Sequence, residues 1–253
     1  MRLTFLGTGT SMGVPVAGGF GKKRIGGDPR NIRWRCSAWI QTSTSSIVID
    51  TGPEFRLQSI RSGLSRVDLV LITHEHMDHI AGLDDLRPFC FHQEQAIPLY
   101  ASRTCIEAIC KRFDYMFGPD RYPGAPAIDL KEIAAPVDFQ DVHITPLPAI
   151  HGKVKVLGYR VNDVSYLTDV KSIPDVTKEL IQGSKVLVLS GLRWKPKHPT
   201  HMTIPEAVEV AGELDVGQTY LIHMNSYVNH EETNKRLPEN VRLAYDQLTI
   251  EVD

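Results

Sequence analysis

The sequence predicts a layered α/β fold in which helices cover the faces of β-sheets. Two observations lead to this prediction. Short apolar runs of strand length open the chain, and later runs alternate with segments whose apolar residues recur at helical spacing. The composition, 42% apolar and 23% charged, is that of an ordinary globular protein that can bury a sizeable core.

The strand predictions rest on short apolar runs that end at turn-forming residues. The run at 67–72 is apolar almost throughout, which is typical of a buried strand, and a Ser/Thr-rich turn joins 37–42 to 46–50 as a hairpin. In chain order, strands are predicted at 2–6, 37–42, 46–50, 67–72, 97–101, several within 128–150 and 157–168, and then at 185–190, 219–223 and 248–252.

The helix predictions rest on apolar spacing and on residues that start helices. In the segment 53–64, Phe55, Ile60 and Leu64 recur at roughly helical spacing, and Pro53 lies near the first turn. Further helices are predicted at 83–91, 103–113, 175–182 and 204–214. Since the chain has no internal repeat and no low-complexity linker, we expect one domain spanning 1–253.

Net charge and cysteine usage limit the kinds of binding partner and the cellular compartment that we expect. The formal net charge is −2, whereas a domain that holds nucleic acid by bulk electrostatics is usually basic, so nucleic acid is not the favoured partner. The four cysteines, Cys36, Cys90, Cys105 and Cys110, form no C-x-x-C pair. With no signal-peptide pattern and no run of 18 apolar residues, these features predict a cytoplasmic protein with reduced thiols and no membrane span.

The segment from Thr73 to His79 carries the strongest chemical signal. It follows the predicted strand 67–72 directly and offers four metal ligands, His74, His76, Asp78 and His79. Imidazole and carboxylate groups suit Zn, Mn or Fe, and the spacing of the first two histidines fits a turn rather than a helix face. Four ligands exceed what one catalytic ion with an open position needs, so the segment predicts two ions.

This H-x-H-x-D-H pattern resembles the signature of the metallo-β-lactamase superfamily. The resemblance covers nearly the whole chain and implies an αββα sandwich, two mixed β-sheets packed face to face with helices outside. It implies that His74, His76 and His151 bind one ion, that Asp78, His79 and His223 bind the other, and that Asp169 bridges them. Asp50 resembles the family's outer aspartate, which orients a ligand histidine.

Two further segments resemble the PhnP-like and RNase Z-like phosphodiesterase branch. They are the opening run from Phe5 to Pro15, which contains Ser11, and the segment 28–37, which contains Asp28-Pro29-Arg30-Asn31. PhnP-like proteins often hold the loop after the first strand with a cysteine zinc site. Residues 17–35 contain no cysteine, so we expect that this zinc is absent and that the loop is held in another way.

His201 is the predicted general acid or phosphate contact, because a histidine before a helix has this role in the phosphodiesterase branch. His198 is the alternative on the same loop, and Arg193 and Ser11 are candidate substrate contacts. Asp78 and Asp169 are expected to serve catalysis as well as metal binding. A hydroxide bridging the two ions would attack phosphorus while the ions neutralise the nonbridging oxygens.

The predicted function is hydrolysis of small phosphodiesters, cyclic ones included, with two divalent ions, Zn or Mn rather than Fe. Four alternatives stay open: a tRNA 3′-processing endoribonuclease, a glyoxalase II-type thioester hydrolase, a hydrolase or oxygenase related to pyrroloquinoline quinone synthesis, and a non-catalytic scaffold. The fold alone does not choose among them. A homodimer is expected by analogy with related families.

Overall fold

The computed structural model describes residues 1–253 and contains two seven-stranded β-sheets. The first sheet consists of β1 (Arg2–Gly7), β2 (Ser37–Gln41), β3 (Ser46–Ile49), β4 (Leu69–Leu71), β5 (Ile97–Ala101), β6 (Ile128–Glu132) and β14 (Thr249–Glu251), in the order β14-β1-β2-β3-β4-β5-β6. The second consists of β7 (Val137–Phe139), β8 (Val142–His151), β9 (Val154–Val161), β10 (Val164–Leu167), β11 (Val186–Ser190), β12 (Gln218–Ile222) and β13 (Val241–Leu243), in the order β13-β12-β11-β10-β9-β8-β7.

Each sheet has a parallel part whose strands are apolar on both faces. Strands β3 to β6 are parallel to one another, and so are β10 to β13, while the remaining pairs are antiparallel. All residues of β3, β4, β10 and β11 are buried, as expected for parallel strands covered on both sides. Loops that follow these strands therefore collect at one edge of the molecule, where ligand sites of α/β folds usually lie.

Helices cover the outer face of each sheet. They are α1 (Phe55–Ser62), α2 (Met77–Ile80), α3 (Arg87–Gln93), α4 (Arg103–Arg112), α5 (Asp114–Phe117), α6 (Asp175–Ile181), α7 (Ile204–Glu213) and α8 (His230–Asn234). Three of them begin at side-chain caps, which are Ser102 at α4, Asn229 at α8, and Thr203, which forms a capping box with Glu206, at α7.

Three apolar clusters hold these layers together. The largest lies between the two sheets and joins residues of both, such as Phe5 and Ile49 with Ile144 and Tyr166. A second cluster packs α1, α3 and α4 on the first sheet, and a third packs α6 and α7 on the second. The predicted αββα sandwich is confirmed. None of the helices has the length and apolar character needed to cross a bilayer.

Most predicted elements are present, and the differences have local causes. The helix predicted at 83–91 is a 3₁₀ turn, Leu83–Leu86, followed by α3, because Pro88 lies at a helix start rather than in a helix interior. The short helices α2, α5 and α8 and the edge strand β13 were not predicted. The latter is three residues long and too short for apolar alternation to be recognised.

The loop before β2 is held by hydrogen bonds to Asn31 instead of by cysteine ligands. The Asn31 side chain is buried, donates to the Ile25 carbonyl (3.0 Å), and accepts from the Arg33 guanidinium (3.1 Å) and the His230 backbone N–H (2.8 Å). It thereby ties the loop to the start of α8, almost two hundred residues away in sequence. This arrangement shows how the loop is held.

Replacing Asn31 with Ala is expected to destabilise the protein by about 1–3 kcal/mol, because it leaves the buried donors on Arg33 and His230 without an acceptor. Thermal unfolding measures the loss, and trypsin cleavage near the exposed Lys22–Arg24 turn should accelerate. The exposed Asn240→Ala serves as control. An unchanged unfolding midpoint together with an unchanged cleavage rate would show that Asn31 does not hold this loop.

Candidate metal centre

The predicted ligands meet at the edge where the parallel strands of both sheets end. Asp50 follows β3, His74 follows β4, Asp169 follows β10 and His223 follows β12, while His151 ends β8. Strand ends on both sheets thus bring together residues that are far apart in sequence.

Backbone hydrogen bonds join the two sheets beside these ligands. The Leu157 N–H donates to the Thr73 carbonyl at 3.0 Å, next to His74. On the other side, the Met224 N–H donates to the Thr8 carbonyl, and the Thr10 N–H donates to the Met224 carbonyl, each at 3.1 Å. The loops that carry the ligands are therefore fixed to one another by main-chain contacts rather than left free.

Three site residues adopt left-handed backbone conformations. Asp50, Asp169 and His223 have φ angles of 60°, 56° and 62°. Such values are uncommon for residues with a side chain, and they persist only where the surrounding structure compensates for their cost. Here each one lies within two residues of the end of a strand, at the edge where the ligands meet.

The imidazole rings form one continuous cluster. Ring centroids are separated by 4.2 Å for His74 and His79, 4.5 Å for His74 and His76, and 5.4 Å for His76 and His151. Of the ten histidines in the chain, all except His92, His143 and His230 belong to this cluster.

Asp169 lies where the potential ligand groups meet. Its carboxylate belongs to three sets of donor atoms, and the atoms of each set lie within 4.8 Å of one another. The other members are His74 and His79 in the first set, His151 and His201 in the second, and Asp78 and His223 in the third. A shared position of this kind suits a bridging carboxylate. The three sets differ from the predicted division of ligands between two ions. The predicted division therefore stays a prediction.

Hydrogen bonds from neighbouring groups orient the rings. On His74, His79 and His151 the Nδ1 atom contacts Thr73 Oγ1 (3.0 Å), Asp50 Oδ2 (2.7 Å) and the Thr200 carbonyl (2.8 Å), respectively. With Nδ1 engaged, Nε2 is the atom that faces the centre, and on His74 it also contacts His76 Nδ1 at 2.9 Å. Outer contacts of this kind fix the tautomer and orientation of metal-binding histidines.

The unpaired atoms of the cluster fit divalent metal ions. Nε2 of His79 lies 3.2 Å from both Asp78 Oδ2 and Asp169 Oδ2, and Nε2 of His223 lies 3.0 Å from Asp169 Oδ1. Both nitrogens are buried and form no hydrogen bond. Ring nitrogens and carboxylate oxygens that converge without hydrogen bonds are groups that a divalent cation would satisfy, and the N/O set suits Zn or Mn.

Buried charges support this interpretation. Burial opposes the charge of Asp169, yet His223 and His79 hold the pKa of this carboxyl well below its usual range. Asp78 behaves similarly: burial raises its pKa, but contact with His79 outweighs this and lowers the pKa to about 2. Burial lowers the pKa of His74 well below its usual value. The carboxylates are thus ionised and His74 is neutral, as metal ligands must be. Burial opposes the charge of His79, but Asp50 and Asp169 raise its pKa well above the usual value, so a bound ion would replace a proton on this ring.

Replacing Asp50 with Asn is expected to weaken metal binding about 10- to 100-fold, the usual cost of losing an outer-shell partner. The new amide would donate to His79 Nδ1, which would leave the ring proton on Nε2, the atom that faces the centre. Competition with a chromophoric chelator measures the affinity. Asp68→Asn, at the opposite end of β4, is the control. Equal affinities for the Asp50 variant and the wild-type protein would refute this role.

His201 joins the cluster, beyond the seven predicted ligands. Its ring lies 4.6 Å from that of His151 and 4.7 Å from that of His223, and its Nδ1 lies 3.7 Å from Asp169 Oδ1 without a hydrogen bond. Burial, with a contribution from His223, lowers the pKa of His201 to about 3. Its neutral ring can therefore donate or accept a hydrogen bond at the centre.

The remaining candidates lie around His201 or farther out. His198 stacks 4.9 Å from His201 and accepts from the Thr200 backbone. Arg193 donates to the Pro196 carbonyl within its own loop, and Ser11 is exposed and uses its carbonyl to accept from Arg35. No hydrogen bond or ion pair joins Arg193 or Ser11 to the ligand cluster.

One ion pair at the site was missed by the sequence reasoning. Lys171 lies two residues after Asp169 and binds Glu206 at 2.9 Å, and Glu206 also accepts from the Thr203 N–H and hydroxyl. The pair fixes the segment that follows His201. The Thr203-x-x-Glu206 capping pattern is visible in the sequence, but the lysine partner comes from another strand end.

Comparison with known proteins gives the following relatives. The family described as "Beta-lactamase superfamily domain" matches residues 45–224. Among solved structures, the chain is similar to one described as a new diphosphatase from the PhnP family, with 36% identity, a TM-score of 0.90, and coverage of 100% of this chain and 98% of that chain.

Two curated relatives are considerably longer than this chain. An octanoyltransferase of Porphyromonas gingivalis is 37% identical over 257 residues, covering 100% of this chain and 52% of the relative. A ribonuclease Z of Picosynechococcus sp. is 30% identical over 169 residues, covering 64% of this chain and 47% of the relative. The chain thus spans about half the length of these curated relatives.

Proposed function

Because the chain belongs to the β-lactamase superfamily and, within it, to the PhnP family, we propose that it is a hydrolase with two divalent metal ions that cleaves small phosphodiesters, including cyclic ones. The proposed ligands are His74, His76, Asp78, His79, His151, Asp169 and His223. The coarser conclusion, a metallo-β-lactamase-fold hydrolase, follows from family membership. The substrate class is the proposal.

The observation that carries the proposal is the position of His201 in the imidazole cluster. His201 is an additional imidazole that is not needed to complete the ligand set, and it is packed between two proposed ligands, with a side chain only 13% exposed. A thioester hydrolase needs no such group at this position, whereas phosphodiester cleavage needs a partner for the leaving oxygen.

The chain's own residues would divide the work as follows. When bound, divalent ions supply a water of lowered pKa and neutralise charge on phosphate oxygens. Asp78 and Asp169 would hold the ions and remain ionised, and Asp50 would hold His79 in the ligating tautomer. His201 would donate a hydrogen bond from its neutral ring to the leaving oxygen, while the Lys171–Glu206 pair keeps its segment fixed.

Two activities named for relatives are not proposed for this chain. Octanoyl transfer belongs to a protein of which this chain spans about half, so that activity is not assigned to this chain. The ribonuclease Z relative suggests tRNA processing, which would require a large basic surface to bind the tRNA, whereas the net charge of this chain is −2. A small substrate therefore remains the better proposal.

The test is hydrolysis of bis-p-nitrophenyl phosphate by protein reconstituted with Zn or Mn, alongside a thioester and a precursor tRNA. Metal-dependent turnover of the phosphodiester supports the proposal. Absence of phosphodiester turnover with either metal, combined with cleavage of the thioester or the tRNA, would overturn it.

A cytoplasmic location and a homodimer remain predictions, for which cell fractionation and analytical ultracentrifugation are the measurements.

A further inference from the structure

The largest side chain that is fully buried in this protein is an arginine, Arg33, which is 1% exposed. Its guanidinium forms one hydrogen bond, in which Nη2 donates to Asn31 Oδ1 at 3.1 Å. The other two nitrogens, Nε and Nη1, are buried and have no hydrogen-bond partner. Because a buried cation that is neither paired nor fully hydrogen-bonded is strongly destabilising, this guanidinium requires an anion beside it.

The two carboxylates whose charge acts on this guanidinium are engaged elsewhere. Asp246 accepts from the backbone N–H groups of Thr8 (2.9 Å) and Trp34 (2.7 Å) and from the Thr8 hydroxyl (2.7 Å). Burial raises the pKa of Asp246 to about 7, so it carries only part of a negative charge at neutral pH. Asp28 forms an ion pair with Arg30 at 2.9 Å. Neither carboxylate therefore serves as the counter-ion of the buried guanidinium.

A second buried group without a partner lies beside Arg33. His230 is 4% exposed, and its Nδ1 forms no hydrogen bond. Its backbone N–H donates to Asn31 Oδ1 at 2.8 Å, so His230 and Arg33 meet at the same side-chain oxygen. Burial, with contributions from Arg30 and Arg33, lowers the pKa of His230 to about 4. The ring is therefore neutral, and one of its nitrogens carries a proton that it can donate.

We propose that a small monovalent anion, chloride in solution, binds between the Arg33 guanidinium and the His230 ring. An arginine offers only donors, so the unpaired atoms Nε and Nη1 select an anion rather than a metal ion. Both side chains are almost completely buried, which favours a single atom over a phosphate ester. Neither residue belongs to the proposed metal ligands, and the inference does not depend on the proposed function.

The position of Arg33 indicates what such an anion would stabilise. Arg33 and Val14 exchange two backbone hydrogen bonds, each 2.8 Å long. A Cβ at Gly9 would lie 2.9 Å from the Arg33 Cβ, so only glycine allows the loop after β1 to pack this closely. His230 begins α8. The anion would therefore hold together the loop after β1, the segment before β2 and the start of α8.

Thermal unfolding in chloride and in gluconate at equal ionic strength tests this inference. A ligand that binds only the folded protein raises its stability, so each tenfold rise in chloride above its Kd should raise the Tm by about 3–6 °C relative to gluconate. Arg33→Met, which removes the charge and the donors, should abolish this difference. Arg30→Met is the matched control, because it removes a partly exposed arginine of the same segment, and it should keep the difference.

Bromide locates the ion in the wild-type protein, so this measurement does not depend on the folding of Arg33→Met. Anomalous scattering from crystals soaked in bromide should show a peak in contact with Arg33 and His230. Equal Tm values of the wild-type protein in chloride and gluconate, or a chloride effect that persists in Arg33→Met, would overturn the inference. So would a bromide signal at the metal centre alone. A bromide peak at Arg33 without any chloride effect on the Tm would indicate an adventitious ion only, and would equally overturn it.

Discussion

Replacing Asp169 with Asn is expected to abolish both metal binding and hydrolysis. The carboxylate belongs to all three sets of donor atoms and lies 3.2 Å from His79 Nε2 and 3.0 Å from His223 Nε2. The amide has almost the same volume, so packing is kept while the negative charge between the proposed ions is lost. Since outer-shell changes already cost about 10- to 100-fold in affinity, loss of a shared ligand should exceed about 100-fold.

Metal content after dialysis, measured by plasma mass spectrometry, tests this expectation together with phosphodiester turnover. Asp141→Asn is the matched control, because Asp141 accepts hydrogen bonds from Thr42 and Ser45 at the β2–β3 turn, away from the ligand edge. An Asp169→Asn protein that retains two ions per chain would show that this carboxylate does not bridge them.

His201→Ala is expected to lower phosphodiester turnover by about 10²- to 10³-fold, the range for loss of one hydrogen-bond donor to charge that develops in the transition state, while metal content stays at the wild-type level. This combination matters because the His201 ring also lies close enough to His151 and Asp169 to be a ligand itself. Turnover and metal content together separate the two roles.

His198→Ala is the comparison for this second prediction. His198 lies on the same loop and stacks on His201, but it belongs to none of the sets of donor atoms, so its loss should affect turnover much less. If His201→Ala loses metal in proportion to activity, His201 is a ligand. If turnover is unchanged, the proposed catalytic role is wrong.

The architecture could be predicted because its signals are local. Buried parallel strands such as β4 and β11 are short apolar runs. The start of α7 is marked in the sequence by the capping residues Thr203 and Glu206 and by Pro205 in the first turn. Strand β13 could not be predicted, because three residues at a sheet edge carry too little pattern. Its pairing to β12 depends on tertiary contacts that local propensity does not report.

The site was predictable where ligands are close in sequence or end a strand. The segment from His74 to His79 is dense enough to be recognised alone, and His151, Asp169 and His223 each follow an apolar run. What the sequence does not contain is the left-handed geometry of Asp50, Asp169 and His223, or the pairing of Lys171 with Glu206. Those features arise from chain segments that meet only in the folded protein.

The most direct test of the account is a titration of metal-free protein with Mn²⁺ or Zn²⁺ in which bound metal and bis-p-nitrophenyl phosphate hydrolysis are followed together. The proposed centre predicts that binding saturates at two ions per chain and that hydrolysis reaches its maximum at the second equivalent. Saturation at one ion, or full binding without any phosphodiester hydrolysis, would contradict it.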